Sequence, residues 1–120
     1  MQVKRIYPTV VCKDIKHVMD AYTNSGFKVI HEVHNIMNEG DKLYVIENEL
    51  NQRIDVIETD KVSNIFHMIR INVDNFEEAL AYYTGKGFKP FKEPMDTASN
   101  KAVCLESPTG LHIMMFQHKK

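Results

Sequence analysis

The sequence predicts an α+β fold of two tandem βαβββ modules, residues 1–60 and 61–120, forming a curved mixed sheet with a concave cleft and helices on the outer face. Three observations predict it. Sliding the chain against itself by 61 positions lays AYTNSGFK, residues 21–28, on YYTGKGFK, residues 82–89. The same shift carries Ile15, Val18, Met19 and Tyr22 onto Phe76, Ala79, Leu80 and Tyr83, an i, i+3, i+4, i+7 apolar stripe in both places. Apolar runs of strand length precede and follow each stripe.

In the first copy, residues 6–12 read as a strand, and Asp14 stands where an N-cap would satisfy the first amides of the helix. Gly26 is placed for the left-handed turn that ends a helix, and a strand starts at Phe27. Residues 42–49 and 52–59 complete the module, and 60–65 is a short connector. The second copy repeats the order: a strand over 66–73, Asn75 as N-cap with Glu78 as its capping-box partner, Gly87, and a strand from Phe88. Strands over 101–107 and 111–117 are joined by Ser107-Pro108-Thr109-Gly110, a sequence suited to a tight reversal. There the offset falls to 59, with Glu47 on Glu106 and Asp55 on Met114, so two residues are missing from the second middle loop. One helix covers only one face of such a sheet. Pairing of modules, within a chain or between chains, is what covers the other.

A chain of 120 residues with 43% hydrophobic content has the size of one domain, 1–120, and buries roughly two thirds of its unfolded surface. Its net charge of −1, with 15 basic and 16 acidic residues dispersed along it, offers no footprint for nucleic acid or an anionic membrane. No apolar stretch nears the ~18 residues of a membrane span, and MQVKRIYP runs into a strand pattern without a secretory signal, so a cytoplasmic location is expected. Cys12 and Cys104 lie in apolar runs without C-x-x-C spacing and read as buried reduced thiols.

Two segments carry a resemblance: V-x-N-F-E-E-A-L-A-Y-Y-x-x-x-G-F over 73–88, and Ser-Pro-Thr-Gly-Leu-His-Ile over 107–113. Set in two copies of a βαβββ pattern, they resemble the glyoxalase/bleomycin-resistance/extradiol-dioxygenase group, the vicinal oxygen chelate superfamily, over nearly the whole chain. The resemblance implies a divalent metal in the cleft, held by His or Gln near the start of a module and Glu near its end. Carried onto this chain, those positions are Tyr7 and Met68, seven residues before each cap, and Asp55 and Met114 on the last strands. Asp55 alone is a good hard-cation ligand; thioethers suit soft ions. No metal, no cofactor and no family-type catalysis are therefore expected. His31 and His34 point to opposite faces of a strand, His17 lies off the apolar stripe, His67 is one residue out of phase, and His118 belongs to a tail.

Period-2 alternation places Val10, Cys12, Ile54, Val56, Ile69, Ile71, Val73, Ile113 and Met115 under the helices. Tyr7, Thr9, Arg53, Asp55, Met68, Arg70, Asn72, His112, Met114 and Phe116 then share the concave side and form the candidate ligand-binding set. A guanidinium in a sheet interior needs a counter-charge, which for Arg70 is either Asp55 or a nearby Glu, or an anionic ligand. Met68, Met114 and Phe116 are residues more often found in core or dimer-interface packing than in a pocket wall. The expected function is metal-independent binding of a neutral or anionic, partly aromatic small molecule, of the sequestration or resistance type, by a homodimer. The alternatives are a metalloenzyme of the superfamily (lyase, isomerase or dioxygenase) with an unusual ligand set around Asp55 and His112, and a dimeric interaction module without a ligand.

Overall fold

Both halves of the chain fold as the apolar periodicities require, one helix laid on one face of a mixed sheet. The computed structural model describes residues 1–36, 39–62, 65–92, 94–96 and 100–119. Among them the elements are β1 (Val3–Cys12), α1 (Lys16–Thr23), β2 (Lys28–His34), β3 (Lys42–Glu47), β4 (Arg53–Glu58), β5 (Phe66–Val73), α2 (Phe76–Gly85), β6 (Lys89–Pro90), β7 (Met95–Asp96), β8 (Asn100–Glu106) and β9 (His112–His118). They group into two compact units, Tyr7–His67, and Met1–Ile6 with Met68–Lys120.

In the first unit the strand order is β2-β3-β4-β1. The β1/β4 pair is parallel, with Thr9 opposite Asp55 and Val11 opposite Ile57, and the other two pairs are antiparallel. The N-cap of α1 is Ile15, one residue after the expected Asp14, and it makes no side-chain cap bond; Asp14 Oδ1 accepts from the Lys16 amide at 3.0 Å just ahead of the helix. Ile15, Val18, Met19 and Tyr22 pack on the buried cluster of Val10, Cys12, Ile46 and Val56. This layer is thin. No residue of α1 is fully buried, and every residue of β2 except Val33 is exposed.

In the second unit the order is β5-β9-β8-β6, with β7 also on β8. The β5/β9 pair is parallel, Arg70 opposite Met114 and Asn72 opposite Phe116, and β8/β9 is antiparallel. Helix α2 sits deeper than α1, burying Phe76 and Ala79 against Ile71, Val73, Val103, Leu105, Ile113 and Met115. Its start is fixed by Asn75 Oδ1, which accepts from the Glu78 amide at 3.1 Å, and by Gln117, which accepts from the Phe76 amide at 2.7 Å and donates to the Asp74 carbonyl at 3.0 Å. The expected capping box is replaced: the Glu78 carboxylate holds the Met1 ammonium at 2.8 Å.

Two strand expectations need correction. The strand expected from Phe88 is two short pieces, β6 and β7, since Pro90 and Pro94 interrupt the donors a longer ladder needs. And β1 starts at Val3, not at residue 6, because Gln2 exchanges hydrogen bonds with Asp74, donating to its Oδ1 at 2.8 Å and accepting from its amide at 3.2 Å.

Candidate functional site

The sheet face opposite each helix carries the candidate residues, in two groups. In the first unit, Arg53, Asp55 and Tyr7 form a clamp. Arg53 and Asp55 are two apart on β4 and so share a face. Arg53 Nε donates to Asp55 Oδ1 at 2.8 Å and Nη2 to Oδ2 at 3.2 Å, while the guanidinium carbon lies 4.0 Å from the centre of the Tyr7 ring. Asp55 has no exposed surface, Tyr7 and Thr9 are buried, and Arg53 keeps 28% of its side chain in solvent. Thr9, opposite Asp55, turns its hydroxyl to the Tyr7 carbonyl at 2.9 Å. The bidentate fork and the aromatic face hold Arg53 in one geometry.

In the second unit, the Arg70 guanidinium lies 4.8 Å from the centre of the Phe116 ring and is only 7% exposed. Asn72 is opposite Phe116 and is also buried. Across the sheet, Arg70, Met114 and Cys104 stand in one row. Burial pushes the Cys104 thiol up, opposed by the positive charges of Lys92 and Arg70. Met68 and Met114 are buried. His118, expected in a tail, is the last residue of β9, its ring edge-on to Phe116 at 5.2 Å. His112 stands apart from this row, at the start of β9. Its Nε2 is 3.8 Å from Glu106 and its ring is edge-on to Phe91 at 5.0 Å.

Sequence reasoning missed three of these partners. The Arg53 fork was readable from R-x-D within a strand. Glu106 stood out only by its match to Glu47 in the repeat, yet the turn at Ser107 sets it opposite His112. Phe91 follows the interrupted strand, where no periodicity points to it. Of the remaining histidines, His17, His31, His34 and His67 are exposed, with His34 3.1 Å from Glu32.

No protein-family model and no curated protein matches the chain. Solved structures do. A hypothetical protein from Bacillus halodurans C-125 superimposes with a TM-score of 0.70 at 18% identity, over 99% of this chain and 95% of that one. Methylmalonyl-CoA epimerase from Mycobacterium tuberculosis gives 0.69 at 12%, over 98% and 90%. A glyoxalase/bleomycin resistance protein/dioxygenase superfamily member from Vibrio splendidus 12B01 gives 0.62 at 15%, over 94% and 97%. The chain has the vicinal oxygen chelate fold.

The divalent metal that this fold implies does not fit the residues present. At the four positions carried over from the resemblance, Met68 and Met114 offer thioethers, and Tyr7 ligates only without its proton. Asp55, the one hard donor, has both carboxylate oxygens engaged by Arg53. Among the described residues, no group of three or more His, Cys, Asp or Glu is placed to hold a metal ion.

Proposed function

We propose that the chain is a metal-independent small-molecule binding protein of the sequestration or resistance type, which takes a neutral or anionic, partly aromatic ligand. The observation that carries this reading is Arg70. A guanidinium with 7% exposure, set over the Phe116 ring, is a fixed cation beside an apolar surface. An anionic or π-rich group desolvated there gains more than it would in water. Met68 and Asn72 flank Arg70 on β5 and Met114 lies opposite it on β9, so its buried surroundings are polarisable and carry one amide. The protein acts as a cytoplasmic homodimer; Val29 and Ile30, 48% and 56% exposed on β2, support association of two copies. Light scattering is expected to give twice the chain mass, and a single-chain mass at micromolar concentration contradicts the pairing.

The test of binding is a thermal-shift series with aromatic acids and their neutral analogues in excess EDTA, on the wild type and on Arg70→Met. The expected result is stabilisation that grows with ligand concentration, persists in EDTA and is lost in Arg70→Met. Stabilisation that needs added metal, or none from any compound, overturns the proposal.

A further inference from the structure

On the helix side of the first unit, a groove of about 270 Å³ opens between α1 and the sheet, lined among others by Val10, His17, Val18, Ala21, Tyr22 and His67. The internal repeat shows what differs at this place. The 61-residue shift lays Ala21 and Tyr22 on Tyr82 and Tyr83. In the second unit the Tyr82 ring packs edge-on against Tyr83, centroids 5.2 Å apart at 82°. In the first unit Tyr22 has no ring beside it from position 21, because Ala21 ends at Cβ. The partner ring that one copy supplies from its own chain is missing in the other, and the groove lies against the tyrosine that lacks it.

The polar groups change with it. The same shift lays His17 on Glu78 and His67 on Ile6. In the second unit Glu78 is a carboxylate bound to a cation, the Met1 ammonium. In the first unit the groove is flanked by two exposed imidazoles, each presenting an N–H donor in either protonation state. One side therefore holds a carboxylate of its own, and the other presents hydrogen-bond donors in its place. We infer that the groove beside Tyr22 is a second ligand site, taking the ring of a small aromatic carboxylic acid whose carboxylate accepts from His17 and His67. The volume suffices, since a dry cavity of about 150 Å³ already admits benzene. The site is independent of Arg70, which lies in the other unit.

The test is an amide chemical-shift titration of the full chain with sodium benzoate, and with benzyl alcohol as the uncharged counterpart. Benzoate is expected to move the resonances of Val10, Val18, Tyr22 and His67 saturably, with a dissociation constant on the order of 1 mM, usual for so small a ligand. Benzyl alcohol is expected to bind about threefold or more weakly, in keeping with the loss of a charge-assisted hydrogen bond. Ala21→Tyr, which restores the ring found in the second copy at an exposed helix position, should abolish these shifts. His17→Leu should reduce benzoate binding and leave benzyl alcohol unchanged. Absence of saturable shifts, shifts centred on Arg70 and Phe116, or undiminished binding in Ala21→Tyr each overturns the inference. Loss of the Arg70-dependent stabilisation described above leaves these shifts untouched, so the two sites fail separately.

Discussion

Asp55 has no contact with solvent, and its charge is balanced at close range by Arg53, which is held in turn against Tyr7. Arg53→Met keeps most of the apolar stem and removes the fork, leaving a buried carboxylate without its guanidinium. The expected loss is about 2 kcal/mol, below the roughly 3–5 of a fully buried pair because Arg53 is 28% exposed. Urea unfolding measures it, and a loss below ~0.5 kcal/mol would show that the pair is not what stabilises this face. At this scale the sequence was only partly legible. Period-2 alternation put Arg53 and Asp55 on one face, but which arginine takes Asp55 depends on rotamers that alternation does not encode. Hence Asp55 was weighed as a partner for Arg70, although its close neighbour on the same strand holds it.

The two helix-ending glycines test how far the repeated elements are equivalent. Gly26 and Gly87 both adopt positive φ, +100° and +92°, as their matching places in the repeat predict. Their surroundings differ. A Cβ on Gly26 meets nothing within 4 Å, whereas one on Gly87 lies 3.0 Å from Pro108 Cγ in the turn between β8 and β9. Gly26→Ala is expected to cost about 1 kcal/mol from backbone strain alone, and Gly87→Ala roughly 1 kcal/mol more from the clash. Thermal unfolding of the two variants side by side checks this; equal losses contradict it. The helices and the Asn75 cap were legible because those signals are local, and the start of α1 was legible to within one residue. The depth of each helix was not. Phe76 and Ala79 are buried where Ile15 and Val18 are only partly so, and that difference comes from tertiary packing. The split of the strand after Phe88 lay in Pro90 and Pro94, two prolines in one short run whose effect on a ladder was there to be read.

For the molecule as a whole, the internal duplication was the most informative signal, since a pattern repeated at one offset constrains two halves at once. It led to the vicinal oxygen chelate fold that the solved structures share, at identities of 18% and below. The candidate site was legible as a face, and its chemistry less so. Tyr7, Thr9, Asp55, Met68, Arg70, Asn72, Met114 and Phe116 are all buried in the folded chain, while Arg53 and His112 are partly exposed. Alternation separates two faces of a strand, but it does not say how much of a face remains open. The central claim is that this scaffold works without the metal its fold implies. Metal analysis of protein purified without a histidine tag tests that most directly, for the wild type and for Asp55→Ala. Well under one equivalent of any first-row metal is expected in both. One equivalent in the wild type, lost in Asp55→Ala, would contradict it.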